Sequence, residues 1–97
     1  MILAKVVGTV VSSHKEQKME GMKFLLLEKI DPVTLQGKND FVVSVDCVGA
    51  GLNEIVFYAS GSSARFTKQT EGLPTDSSII AIVDIIEKDG KFTFQKK

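Results

Sequence analysis

Residues 79–86 read Ile-Ile-Ala-Ile-Val-Asp-Ile-Ile, and this stretch decides the fold class. Its β-branched residues lack the three-to-four-residue spacing of an amphipathic helix, so it predicts a strand, which we place at residues 79–87. A strand with one face in water alternates apolar and polar residues. In this strand the odd and the even positions are both apolar, so both of its faces must be buried against other parts of the protein.

Similar runs precede and follow this stretch along the chain. They predict strands at residues 2–12, 22–30, 41–47, 55–59 and 91–95. In the first strand the even positions form the core face, and Gly8 within that face indicates a bulge, a barrel bend or a close backbone approach. In the third strand one face carries Phe41, Val43, Val45 and Cys47.

Turn residues separate these runs. Asp31-Pro32 ends the second strand because proline cannot donate to a ladder, and we place a further turn at residues 37–39. Asp89-Gly90 predicts a type I′ hairpin near the C-terminus. Residues 62–66 predict a short helix with a serine N-cap, and residues 12–21 and 67–78 are predicted loops.

The length of 97 residues allows one domain, at residues 1–97. Five or six strands with little helix predict an all-β fold, a small five-stranded OB-like β-barrel with a short helix and a C-terminal hairpin, because barrel closure removes sheet edges. An immunoglobulin-like sandwich is the alternative, but it needs about seven strands.

The two-faced strands have two interpretations. Leu25-Leu26-Leu27 repeats the pattern of residues 79–86, and a chain this small cannot wrap both faces by itself. Either a barrel interior is accompanied by scattered exposed aliphatic residues, or the outer face is buried against another subunit. We favour the subunit interface.

Composition excludes several classes of function. The 12 basic and 12 acidic residues give a formal net charge of zero, which disfavours nucleic acid or an anionic membrane as a partner. No window approaches the ~20 apolar residues of a membrane span, and the N-terminus is not a secretory signal. The single cysteine, Cys47, cannot form an intrachain disulfide and fits a reducing cytoplasm.

Candidate catalytic, cofactor and metal sites do not survive inspection. The only histidine, His14, lies in a charged loop, and Cys47 has no partner base. The segment Gly49-Ala50-Gly51-Leu52-Asn53-Glu54 lacks the third glycine and the following helix of a dinucleotide fingerprint. Gly61-Ser62-Ser63-Ala64-Arg65 lacks the second glycine of a nucleophile elbow. We therefore expect no enzyme, no cofactor and no metal.

Four ordered blocks resemble the bacterial microcompartment vertex proteins of the EutN/CcmL family. They are the opening block of residues 3–12, Lys15 and residues 21–26, the middle block of residues 46–51 and 54–56, the pentapeptide Gly61-Ser62-Ser63-Ala64-Arg65, and the closing strand at residues 81–84. Cys47, Asn53 and Phe57 depart from the family pattern. The resemblance covers nearly the whole chain.

The resemblance implies a homopentamer that caps the vertices of a polyhedral shell in the cytoplasm, next to hexameric shell proteins. Within it, the tight turns at Gly49, Ala50, Gly51, Gly61, Ser62, Ser63, Ala64 and Arg65 are candidates for the subunit interface or ring axis. There, small residues allow close approach and Arg65 offers a fork for a carboxylate or carbonyl. The alternative function is an OB-like module that binds single-stranded nucleic acid or a small ligand.

Overall fold

Five of the seven strands close into a barrel in the order β1-β2-β3-β5-β4. The computed structural model describes residues 2–11, 22–61 and 77–96. The strands are β1 (Ile2–Val10), β2 (Phe24–Ile30), β3 (Gly37–Asp46), β4 (Ile55–Ser60), β5 (Ser77–Ile82), β6 (Ile85–Lys88) and β7 (Lys91–Gln95). Barrel neighbours are antiparallel except for the parallel pair β3–β5. The predicted all-β, five-stranded barrel is confirmed, and the sandwich is not observed.

Some predictions fall outside the described residues. These are the short helix at residues 62–66 and the loops at residues 12–21 and 67–76. Within the described ranges, no helix has the length and apolar character needed to cross a membrane.

The barrel interior follows the period-two alternation of the strands. The even face of β1 supplies Ala4 and Val6, which are 0% and 1% exposed, as predicted. Cross-strand partners share a face, and Val6 pairs with Leu27 while Ala4 pairs with Val56. The buried interior cluster consists of Ala4, Val6, Leu25, Leu27, Ala50, Val56, Tyr58 and Ile79.

Gly8 marks an irregularity in β1, as expected. The register of the β1–β2 pair shifts between Val6 and Gly8, so that Gly8 pairs with Leu26 and not with Leu25. A bulge of this kind bends a strand and increases its twist. The bend helps a short sheet to close on itself.

The C-terminal hairpin forms where Asp89-Gly90 predicts it. Strands β6 and β7 pair as a separate two-stranded sheet. Asp89 and Gly90 both have positive φ, at 54° and 77°, as a type I′ turn requires.

The prediction of one strand at residues 79–87 is wrong, because the chain changes partners in the middle of it. The Val83 N–H still donates to the Ile55 carbonyl of β4 at 2.8 Å, but the Asp84 carbonyl accepts from the Lys96 N–H at 2.7 Å. Asp84 is exposed at this switch. The strand therefore divides into β5 on the barrel and β6 on the hairpin.

The predicted turn at residues 37–39 is also wrong, because those residues open β3. The turn lies earlier, where Asp31 Oδ1 accepts from the N–H groups of Val33 and Thr34 at 2.8 and 3.0 Å. The Asn39 N–H donates to Glu28 Oε2 at 3.1 Å. This bond holds the start of β3 against β2.

Two serines assigned to the loop at residues 67–78 belong to β5. Ser77 and Ser78 are 4% and 0% exposed, and the Ser77 hydroxyl is hydrogen-bonded to that of Ser44 on β3. Their polar character predicts a loop, but the contact with Ser44 satisfies the Ser77 hydroxyl in the interior.

The outer face of the barrel is partly covered by the chain itself, which corrects the expectation that a chain this small cannot do so. A second buried cluster forms around Ile30, Ile55 and Val83. Ile86 and Phe94 of the hairpin pack onto it together with Leu3, Leu35 and Phe57. The hairpin thus covers the outer side of the β1–β4 seam and reaches the β2–β3 turn, where the Thr93 hydroxyl donates to the Pro32 carbonyl at 3.1 Å. Phe41 and Val43 of β3 remain 49% and 45% exposed.

Adjacent leucines provide a test of this inside–outside assignment. Leu27 is 0% exposed in the interior, whereas Leu26 points outward and is half-buried. Leu27→Ala should lower the free energy of unfolding by about 2–5 kcal/mol through lost burial and a cavity. Leu26→Ala should cost less than half as much, measured by urea unfolding of dilute protein. Equal losses would mean that β2 has the opposite orientation.

Candidate functional site

The loop between β3 and β4, residues 47–54, is organised first by the carboxylate of Asp46. Asp46 Oδ1 accepts the N–H groups of Val48, Gly49 and Ala50 at 3.1, 3.0 and 3.1 Å. The Lys23 ammonium lies 3.9 Å from Asp46 Oδ2 and donates to the Ala50 carbonyl at 3.5 Å. A single buried carboxylate therefore sets the shape of the glycine-rich segment.

Glu54 organises the second half of the loop. Glu54 Oε1 accepts the Gly51 N–H at 2.6 Å, and Glu54 Oε2 lies 2.5 Å from the Lys96 ammonium. These two contacts, the ion pair first, hold the pKa of Glu54 below its ordinary value. The pairing with Glu54 in turn raises the pKa of Lys96. Because Lys96 follows β7, Glu54 joins the loop to the C-terminal hairpin.

Backbone hydrogen bonds fasten the same loop to β1. The Val6 N–H donates to the Glu54 carbonyl at 2.9 Å, and the Asn53 N–H donates to the Val6 carbonyl at 2.8 Å. Leu52, which directly precedes these two bonded residues, is 65% exposed. The loop thus presents an apolar side chain on a well-anchored backbone.

The three small residues of the loop, Gly49, Ala50 and Gly51, are small for different structural reasons. Gly49 has a φ of 77°, and a Cβ there would meet no atom within 4 Å. Glycine is therefore favoured at this position by the left-handed backbone conformation and not by a lack of space. Ala50 is 1% exposed within the interior cluster. A Cβ on Gly51 would lie 3.3 Å from Glu54 Oε1, which makes that position tight.

The predicted site residues do not form one cluster. Gly49, Ala50 and Gly51 precede β4, whereas Gly61 follows it, exposed, at its other end. Six strand residues span about 20 Å. Ser62, Ser63, Ala64 and Arg65 lie outside the described residues. A neighbour that contacts both groups must therefore extend along β4.

A groove of about 520 Å³ lies between the loop and the end of β7. Its lining consists of Leu52, Asn53, Glu54, Ile55, Phe94, Gln95 and Lys96. Ligand pockets present polar groups that converge on a bound molecule. The two charged groups here, Glu54 and Lys96, are directed at each other, so the groove is better suited to a packing contact than to small-molecule binding.

Tyr58 is a deeply buried ionisable group of the described barrel, and it too has partners within the chain. Tyr58 is 1% exposed, and burial raises its pKa. Lys29 interacts with Tyr58 and with Asp40, and its pKa is raised chiefly by the hydrogen bond to Asp40, 3.1 Å away. Across residues 2–11, 22–61 and 77–96, no group of three His, Cys, Asp or Glu side chains is placed to hold a metal ion.

Sequence reasoning missed the two carboxylates that build the loop. Sequence reasoning assigns Asp46 no structural role, although its spacing of two to four residues from the amides it accepts is that of an Asx-type turn. Sequence reasoning also assigns Glu54 no structural role, but it closes a turn three residues after Gly51. The pairing with Lys96 leaves no local sequence signal because 42 positions separate the partners.

The ion pair predicts a pH dependence of stability. The pKa of Glu54 in the folded chain lies below its ordinary value of 4.5, so its contribution is complete above that pH and is lost as the pH falls through the folded pKa. Because the Lys96 side chain is 41% exposed, solvent screens the ion pair and we expect the effect to be small. Glu54→Gln should remove it, as measured by thermal unfolding between about pH 7 and pH 3.

Glu87→Gln is the matched control, because Glu87 is exposed on β6. This variant should follow the parent's acid profile. If Glu54→Gln follows it too, the ion pair contributes nothing to the link between loop and hairpin.

With this geometry established, comparison with known proteins is informative. The family described as "Ethanolamine utilisation protein EutN/carboxysome" matches residues 1–84. The chain is 43% identical over 97 residues to the carboxysome shell vertex protein CcmL of Gloeobacter violaceus, covering 100% of this chain and 96% of that protein. It is 40% identical over 98 residues to the bacterial microcompartment shell vertex protein EutN of Salmonella typhimurium, covering 99% and 96%.

Solved structures agree with the sequence matches. The Gloeobacter violaceus CcmL structure superposes with a TM-score of 0.92, covering 99% of this chain and 98% of that one. The pentameric microcompartment shell protein GrpN of Rhodospirillum rubrum, 40% identical, superposes with a TM-score of 0.81 over 91% of this chain and 99% of that one. Both the sequence and the barrel therefore place the chain in the EutN/CcmL family.

Proposed function

We propose that this chain is a structural shell protein that forms a homopentamer and caps the vertices of a bacterial microcompartment in the cytoplasm. The observation that carries the proposal is its full-length similarity to proteins named as shell vertex proteins, one of which has a pentameric structure. The whole chain, residues 1–97, acts as one vertex domain in this proposal. It is not an enzyme, and its further partners are hexameric shell proteins.

The surface of the barrel supports a ring. Head-to-tail contacts use two different surfaces of each subunit and form a closed ring when the rotation between subunits matches its symmetry. The chain leaves apolar side chains exposed on β3, on the hairpin and on the loop, such as Phe41, Phe92 and Leu52. A ring of copies would remove these side chains from water.

The small residues have a role in this ring. We assign Gly49, Ala50 and Gly51 to one end of a contact that runs along β4, and Gly61 with Ser62, Ser63, Ala64 and Arg65 to the other end or to the ring axis. The rigid loop supports this assignment because Asp46 and Glu54 hold its backbone before any neighbour binds. A preorganised surface loses little conformational entropy on association.

Native mass spectrometry tests the ring. We expect a species of five copies at micromolar protein, unchanged by single-stranded nucleic acid. Co-expression with a hexamer-forming shell protein should yield closed shells only when this chain is present, as seen by electron microscopy. A monomer that binds single-stranded nucleic acid would instead support the OB-like binding module.

Arg65 provides a test of one residue. Arg65→Ala should weaken the pentamer because its guanidinium can form two parallel hydrogen bonds with a carboxylate or carbonyl of the neighbour. Arg65→Lys keeps the charge but not the fork, so it should fall between Arg65→Ala and the parent. Subunit dissociation on dilution, followed by mass photometry, is the measurement. Unchanged dissociation of Arg65→Ala would remove Arg65 from the interface.

A further inference from the structure

The tip of the C-terminal hairpin joins an aspartate directly to a glycine. Asp89 and Gly90 form a two-residue turn with positive φ at both positions, and Lys88 and Lys91 pair on either side of it. Nothing lies within 4 Å of the place that a Cβ on Gly90 would occupy. The glycine side of the turn is therefore unobstructed.

The backbone nitrogen of Gly90 lies outside the hydrogen-bonded ladder of the hairpin. In a two-residue turn the closing hydrogen bond joins the residues that flank the turn, which here are Lys88 and Lys91. The N–H of the second turn residue is not part of that pair. The Gly90 nitrogen is therefore available as a nucleophile toward the side chain of the residue before it.

The carboxyl group of Asp89 is accessible and takes part in a surface ion pair. Its Oδ2 lies 2.9 Å from the Lys88 ammonium, and 83% of the Asp89 side chain is exposed. Exposed pairs of this kind contribute little to stability and are screened by salt. The carboxyl group is therefore free to turn toward the Gly90 nitrogen, which belongs to the next peptide unit.

The other aspartates of the described residues lack these features. Asp31 is followed by Pro32, whose nitrogen carries no hydrogen. The Asp46 side chain is 2% exposed, and its carboxylate accepts three backbone amides. Asp40 and Asp84 precede bulky residues, and a bulky side chain hinders attack by the nitrogen of its own residue. The hairpin tip is therefore the place where the chemistry of an Asp-Gly pair is open.

We propose that Asp89 is a site of spontaneous isomerisation to isoaspartate. The Gly90 nitrogen attacks Cγ of the protonated Asp89 carboxyl group, and the N–H proton and the carboxyl hydroxyl leave as water, which gives a five-membered succinimide. Water then adds to the former main-chain carbonyl of Asp89 and breaks its bond to the Gly90 nitrogen. One water is released and one is consumed. Nothing is oxidised or reduced, and the reaction needs no other co-reactant.

The product changes the hairpin because its main chain runs through Cβ and Cγ of Asp89 and is one carbon longer. A two-residue type I′ turn matches the twist of its strands only with an ordinary backbone, so the turn no longer closes in register. The hairpin contributes Ile86 and Phe94 to the second cluster. A frayed hairpin therefore uncovers part of the outer face of the barrel. This inference concerns a single copy of the chain and does not depend on the proposed ring.

Storage of the purified chain in neutral buffer for several weeks tests the site. Isoaspartate, detected with protein isoaspartyl methyltransferase, should accumulate with time. The peptide of residues 88–97, which endoproteinase Glu-C releases by cutting after Glu87, should contain it at residue 89. Endoproteinase Asp-N cuts before aspartate but not before isoaspartate, so its cleavage before Asp89 should be progressively lost. Its cleavage before Asp84 should persist and is the internal control.

Two variants keep the turn and change the chemistry. Asp89→Gly retains a pair that type I′ turns accept but has no carboxyl group, so it should give no methyl-accepting product at the hairpin. Asp89→Asn forms the same succinimide by loss of ammonia, and it should reach isoaspartate sooner than the parent. The proposal is overturned if the parent keeps Asp89 unchanged while Asp89→Asn converts, if neither converts, or if isoaspartate forms at another residue instead.

Hydrogen exchange of fresh and stored protein checks the consequence for the fold. The amides of β6 and β7 should exchange faster in the stored protein, whereas those of β1 and β2 should keep their protection because the barrel interior is unchanged. Isoaspartate at residue 89 with unchanged protection of the hairpin would overturn the structural consequence. A chain that fails to form a pentamer would overturn the proposed ring and would change neither of these expectations.

Discussion

The rest of this structure depends on one constraint, which is that the apolar side chains on the outer face of a short β-barrel must be buried away from water. Five strands close around a buried interior, but the outward residues of several strands are also apolar, as Leu3, Phe57 and Val43 show. The free energy of exposing such side chains is proportional to their area. The chain meets part of this demand with its hairpin, which packs Ile86 and Phe94 over the β1–β4 seam. On β3 the demand remains unmet within one copy.

The loop before β4 and the hairpin after β5 behave as one structural unit because Glu54 connects them. Its carboxylate accepts an amide of its own loop and binds Lys96 beyond β7. The loop is fastened to β1 by two backbone bonds, and Asp46 fastens its first half. A movement of the hairpin would therefore be transmitted to the glycine-rich segment. If both parts contact neighbouring subunits, they do so as a single prearranged surface.

Sequence reasoning succeeded where the determinant is local. The even face of β1, the bulge at Gly8 and the Asp89-Gly90 hairpin each depend on a few adjacent residues, and all three are confirmed. It failed where a distant partner decides the local conformation. The strand at residues 79–87 divides because the Val83 N–H bonds β4 while the Asp84 carbonyl accepts from the Lys96 N–H. Asp84 is the one acid in the aliphatic run, but on sequence alone it fits a register change or a pairing across an interface equally well.

The candidate site shows the same division. The glycine positions of the loop were evident from the sequence, and Gly49 does adopt the left-handed conformation that favours glycine. The carboxylates that hold the loop were overlooked, since their partners are backbone amides and a lysine at the far end of the chain. The interface assignment of Gly49, Ala50 and Gly51 remains a prediction.

The positions of the exposed aromatic residues favour assembly over ligand binding. A barrel that binds single-stranded nucleic acid stacks successive bases on aromatic side chains along one basic groove. Here Phe57, Tyr58 and Phe94 are packed in the two clusters. Phe41 and Phe92 are exposed, but they belong to two different sheets, Phe41 to β3 of the barrel and Phe92 to the hairpin. Two isolated aromatic side chains on separate sheets do not form the continuous aromatic and basic track that such binding requires.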